Sequence, residues 1–134
     1  MKNRVIISNR TYNTEWVDVH PDMLESYLAS EEPQRVYFPF WSHMVPEPIL
    51  LKYKCIGFHL GEEAGGSPIQ HAIRSGKTEC LLKAFLMTTK LDRGKHISIH
   101  SVQLHGSLEE IILRMSKIIT EMIDAQENYE QSNS

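Results

Sequence analysis

The chain has 134 residues, with 14 Lys plus Arg against 17 Asp plus Glu, a formal net charge of −3, and 41% hydrophobic residues. That composition is ordinary for a folded domain; it excludes a disordered chain, and two cysteines exclude a disulfide-stapled scaffold. The mild negative charge argues against a nucleic-acid binder that works by neutralising phosphates, and no apolar run reaches the ~20 residues a membrane span needs.

Val5-Ile6-Ile7-Ser8-Asn9 reads as the first strand of a parallel sheet. Residues 2–4 before it are basic or polar, but three apolar residues are too few for a signal-peptide core. Residues 10–19 keep no period and read as mostly loop. Pro21-Asp22 opens a helix to Ser30 with Met23, Leu24, Tyr27 and Leu28 on one face, and Glu31-Glu32-Pro33 ends it. Arg35 to Trp41 predicts a second strand, interrupted by Pro39, which has no N–H for a ladder. Pro46-Glu47-Pro48 starts a brief helix to Lys52. Lys54 to His59 is a short apolar strand that runs into the glycine-rich loop Gly61-Glu62-Glu63-Ala64-Gly65-Gly66.

Ser67 and Pro68 supply an N-cap and a first-turn proline for a helix that stops at Gly76. Cys80 to Thr88 is almost continuously apolar, as in a strand covered on both faces. Leu91-Asp92-Arg93-Gly94 is a turn, and His96 to Leu104 alternates as the next strand. Ser107-Leu108-Glu109-Glu110 is a capping box opening the longest helix, to Asp124, with Ile111, Ile112, Met115, Ile118, Ile119 and Met122 as its stripe. The class is therefore α/β, three-layer with a mostly parallel sheet, in one domain over 1–124 with a polar, frayed tail over 125–134. The Ser67 helix is expected to join the Cys55 and Cys80 strands as a right-handed crossover. Ile112, Ile119 and Met122 exceed what one small sheet is expected to bury, which predicts a homodimer. Cys55 and Cys80, each alone in an apolar segment, read as buried free thiols of a reducing, cytoplasmic compartment.

Seven histidines raise the question of a metal. His96 and His100 share a strand face about 13 Å apart, too far for one ion, and no Cys-x-x-Cys or helical His-x-x-x-His occurs, so no metal site is expected. Gly65-Gly66-Ser67-Pro68 offers backbone N–H groups at a helix start, where an anion can sit; a plain turn with an N-cap explains it as well. His59 is more specific. It stands at the carboxyl end of a parallel-type strand, where open α/β sheets place their ligand crevice, although strand-end histidines also serve structure. Asp92 either makes an Asx turn before Gly94 or orients an imidazole and favours its protonated form. Spacing alone does not choose.

Phe58-His59, Gly66-Ser67-Pro68-Ile69-Gln70-His71-Ala72-Ile73, Gly76, Thr78-Glu79 and Leu91-Asp92-Arg93-Gly94 together resemble the formyltransferases that use 10-formyltetrahydrofolate. Members act on methionyl-tRNA, glycinamide ribonucleotide and amino sugars, and carry Asn-x-His at a strand end and Leu-Asp-x-Gly after a later strand. Ser42-His43-Met44-Val45-Pro46 resembles the Ile-Leu-Pro turn that lines their folate pocket. The resemblance implies a reduced, Rossmann-like formyltransferase fold over about residues 35–124. It implies His59 and Asp92 as the catalytic pair, and Ser42, Met44, Val45, Met87 and Lys90 around the folate, with Met44, Val45 and Met87 in one apolar cleft. The Asn of Asn-x-His is Gly57 in this chain, the loop after His59 lacks the family's Leu-Leu-Pro, its Arg position is Ala64, and the N-terminal half is abbreviated.

The implied reaction moves a formyl group from 10-formyltetrahydrofolate to a primary amine. His59 stabilises the oxyanion or takes the amine proton, and Asp92 tunes the imidazole. A chain ending after one helix and a tail, with negative charge, is expected to disfavour a tRNA substrate. Aromatic residues Tyr37, Phe38, Phe40 and Trp41 resemble the amino-sugar branch of that family, which implies a nucleotide-linked amino sugar as acceptor, although core packing explains them equally well. The alternative is a catalytically impaired formyltransferase-like module for binding or assembly, and a third reading is a small α/β domain alike only in fold.

Overall fold

Branched aliphatic runs build the first half of the sheet. In the computed structural model, which describes residues 2–61, 68–89 and 95–133, β1 spans Lys2–Ile7 and buries Val5, Ile6 and Ile7. A two-residue strand, β2 (Trp16–Val17), pairs parallel to it, anchored by the buried Trp16 ring. The segment that lacks a period in the sequence thus contributes an edge strand, too short for an alternation to register. A 3₁₀ turn at Pro21–Met23 leads into α1 (Leu24–Glu31), which buries Leu24 and Leu28, one turn apart. Glu32 closes α1 in the left-handed conformation (φ 49°), donating its N–H to the Leu28 carbonyl at 2.9 Å.

β3 (Pro33–Phe38) lies parallel to β1, with Val5 opposite Val36 and Ile6 opposite Tyr37. It stops three residues short of Trp41 because Pro39 cannot continue the ladder and Phe40 turns to φ 51°. α2 (Glu47–Lys52) follows Pro46, and β4 (Lys54–Leu60) pairs parallel to β3 with Cys55 opposite Val36. Val5, Ile7, Leu24, Leu28, Val36, Phe38, Val45, Ile49 and Cys55 form one core cluster.

The strand order is β2-β1-β3-β4-β5-β6, with β5 at Glu79–Leu86 and β6 at His96–Gln103. Between β4 and β5 the Gly61 N–H donates to the Leu81 carbonyl (2.8 Å) and the Met87 N–H to the Cys55 carbonyl (2.9 Å). Numbers fall along one strand as they rise along the other, so the pair is antiparallel and the expected right-handed crossover does not form. β6 also runs against β5, with bonds from Leu86 N–H to Lys95 O and from Leu104 N–H to Thr78 O. The sheet is therefore mixed, with its parallel part at β2-β1-β3-β4. An apolar run states that a strand is buried but carries no information on its direction.

Contacts divide the chain into two units, Met1–Phe58 with Phe85–His96, and His59–Ala84 with Ile97–Ser134. In the second, α3 (Pro68–Arg74) ends as the sequence predicts. Gly76 takes φ 76°, its N–H bonds Ile73 O at 3.0 Å and the Lys77 N–H bonds Ala72 O at 3.1 Å, a Schellman motif. The Ser67 cap lies outside the described residues. α4 covers Leu108–Ser132, eight residues beyond the expected end at Asp124. Glu127, 5% exposed, extends the buried stripe by another turn, and Gln126 donates to Glu130 Oε1 at 3.0 Å. The expected tail is helix. Ile112, Ile119 and Met122 are buried within the chain, which removes the surface from which the homodimer was expected.

Candidate active site

The parallel part of the sheet brings the carboxyl ends of β1, β3 and β4 to one side, where α/β sheets place ligands. Two loops leave it there within the first unit. After β1, Ser8 is fully buried and its hydroxyl closes a small turn, donating to the Arg10 carbonyl at 2.8 Å and accepting from the Arg10 N–H at 3.0 Å. After β3 comes an aromatic turn. The Trp41 ring lies 5.7 Å from Phe38 and 5.1 Å, edge-on, from His43, and Phe40 meets Tyr12 at 5.9 Å and Trp16 at 6.2 Å. Trp41 Nε1 is buried and has no hydrogen-bond partner among the described residues.

The sequence-derived folate residues separate on this turn. Val45 is 5% exposed and belongs to the core, half-buried Met87 packs against the same core, and Met44 is 91% exposed. The structure therefore places Val45 in one core cluster and Met87 against it and leaves Met44 outside; a single cleft lined by all three is not formed. Ser42 is exposed and held by Asn9, whose Oδ1 accepts from the Ser42 N–H at 2.8 Å and from its Oγ–H at 2.9 Å. Lys90 and Asp92 lie outside the described residues, and with them the His59–Asp92 geometry.

His59 is half-buried near the end of β4, with Nδ1 inaccessible to solvent, and Gly61 turns the chain immediately after the strand at φ 77°. Two residues before it, Gly57 has an ordinary φ, so its need for glycine is steric. A Cβ there would lie 2.7 Å from Phe85 Cζ, 3.1 Å from Phe85 Cε1 and 3.3 Å from Met87 Cγ. The ring of Phe85 fills the space of a side chain at 57. Both cysteines are free and buried, and burial pushes the Cys55 thiol up to about 12, which makes it a poor nucleophile. Among the described residues no three His, Cys, Asp or Glu side chains converge as metal ligands, and no helix is long and apolar enough to cross a membrane.

Known proteins place this architecture. No family model matches the sequence. The methionyl-tRNA formyltransferase of Mycoplasmopsis pulmonis is 32% identical over 90 residues, 62% of this chain and 31% of that protein. That of a Nitratiruptor species is 31% identical over 109 residues, 72% of this chain and 36% of its own length. In structure, methionyl-tRNA formyltransferase from Clostridium thermocellum superposes with a TM-score of 0.81 at 23% identity, over 98% of this chain and 66% of that one. The chain is a relative of the formyltransferases. HypX from Aquifex aeolicus, solved with tetrahydrofolic acid, shares the fold with a TM-score of 0.76 at 19% identity, over 98% of this chain and 27% of that one. A 4-N formyltransferase from Francisella tularensis gives 0.64 at 14% identity, over 95% and 70%. This formyltransferase relative spans about a third of the length of the curated proteins it matches.

Sequence reasoning missed Asn9 and Phe85. An asparagine after a strand signals only a turn, and a phenylalanine inside an apolar strand signals only a core. The glycine in the Asn-x-His position was the one available sign that something else occupies that space.

Proposed function

We propose that this formyltransferase relative carries a folate site that transfers a formyl group from 10-formyltetrahydrofolate to a primary amine, most specifically that of a nucleotide-linked amino sugar. The position of His59 near the carboxyl end of β4 carries the reading, since β4 pairs parallel to β3 as far as Gly57, two residues before it, and a glycine turn follows at Gly61. The folate supplies the formyl carbon. A bond forms from the acceptor nitrogen to that carbon, the bond to N10 breaks, and the amine proton passes to N10 with His59 as its carrier. Asp92 supports the imidazolium. Ser42, Val45, Met87 and Lys90 hold the pterin, and the buried Trp41 Nε1, without a hydrogen-bond partner among the described residues, fits a ligand with polar edges. Buried free thiols suit a cytoplasmic setting. A homodimer has to use other apolar residues of α4, of which Leu108, Leu113 and Tyr129 are exposed.

The second reading, an impaired formyltransferase-like module for binding or assembly, draws on Phe85. With its ring against Gly57, no amide at that position helps to hold the developing oxyanion, and losing one such donor costs on the order of 10²–10³ in rate. Turnover assays with 10-formyltetrahydrofolate separate the two. An amino-sugar nucleotide is the expected acceptor, and methionyl-tRNA is the competing one because the curated relatives above bear that name. Formylation by the wild type that disappears in His59→Ala, with binding of a folate analogue retained, supports transfer. Analogue binding without formylation of either acceptor supports the module.

A further inference from the structure

Asn9 makes four hydrogen bonds, three of them to the aromatic turn after β3. Its N–H donates to the Phe40 carbonyl at 3.4 Å, and its Oδ1 accepts from both the N–H and the Oγ–H of Ser42. Its Nδ2 donates to Asp18 Oδ1 at 3.4 Å. One residue thus ties down both ends of a three-residue segment whose first member, Phe40, sits at φ 51°, a conformation that persists only where the surroundings hold it. The Ser42 N–H can only donate, so the Asn9 atom it meets is the carbonyl oxygen. That oxygen only accepts, so the one hydroxyl hydrogen of Ser42 points to it. Two lone pairs remain on an exposed side chain.

We propose that Asn9 is a positioning residue for this turn, and that it sets Ser42 to accept rather than donate. The ligand group that Ser42 meets is then an N–H donor, such as the exocyclic amino group of a pterin, and not a carbonyl. This rests on the folate reading of the site. It also accounts for Asp18, which fixes the amide of Asn9 so that Nδ2 faces away from Ser42.

The test is a calorimetric titration of the full chain with a stable 10-formyltetrahydrofolate analogue and with the same analogue lacking its 2-amino group. The wild type is expected to prefer the amino form by about tenfold, the value of one hydrogen bond of roughly ordinary strength. Ser42→Ala and Asn9→Ala are each expected to erase that preference. The exchanged pair Asn9→Asp with Asp18→Asn keeps an acceptor for Ser42 and a donor at 18, and is expected to restore it. A purely structural Asn9 would weaken both ligands equally, and a preference that survives Asn9→Ala overturns the proposal. Binding of both forms with equal strength by the wild type overturns it as well while leaving the folate site standing. No binding of either form removes the folate reading and this proposal together.

Discussion

Adding a side chain at position 57 sets its Cβ against the Phe85 ring, so the two positions are coupled. Gly57→Asn is expected to lower stability by about 1–3 kcal/mol, the usual cost of overpacking, and to cost far less in a Phe85→Ala background. Urea midpoints of the four proteins measure this; equal costs in both backgrounds would show that the ring does not obstruct the site. Cys55 offers a second check at this scale. With its thiol pushed up to about 12 by burial, it is expected to resist a disulfide reagent at pH 8 until the protein unfolds, as read by peptide mass. Rapid labelling in the native state would contradict its burial. The apolar surroundings of Cys55 were legible in the sequence. The collision at Gly57 was not, because it depends on which strand lies beside β4 and in which direction it runs.

At the scale of elements, the capping box was legible in full. Ser107 Oγ accepts from the Glu110 N–H at 3.2 Å, and Glu110 Oε1 accepts from the Ser107 N–H at 3.0 Å. That local pattern is complete within four residues, so no tertiary knowledge is needed to see it. The Ser107 N–H, then its hydroxyl, with Arg114 and His105 further off, hold the Glu110 carboxyl below its ordinary 4.5. A carboxylate depressed in the folded state contributes stability that is full above the unfolded value and lost as pH falls through the folded one. Lowering pH from 6 toward 3 is therefore expected to narrow the stability gap between the wild type and Glu110→Gln, followed by helix circular dichroism in urea. A gap that stays constant would show that the carboxylate contributes nothing there. Strand direction and the length of α4 were less legible. The 18 residues between β4 and β5 suit a crossover as well as an antiparallel return, and the last two turns of α4 rest on a buried Glu127 that its sequence marks as polar.

At the scale of the whole chain, the family resemblance and the α/β class were readable because short motifs kept their order and spacing. The relatives and the TM-score of 0.81 agree with that reading. The substrate side was not readable, since the acceptor depends on side chains brought together from distant segments. We propose that the carboxyl ends of the parallel strands hold a folate. Titration of the intact chain with the stable 10-formyltetrahydrofolate analogue tests it most directly. One saturable site per chain, retained in His59→Ala and weakened in Ser42→Ala, is the predicted result; the absence of saturable binding at millimolar analogue would contradict it.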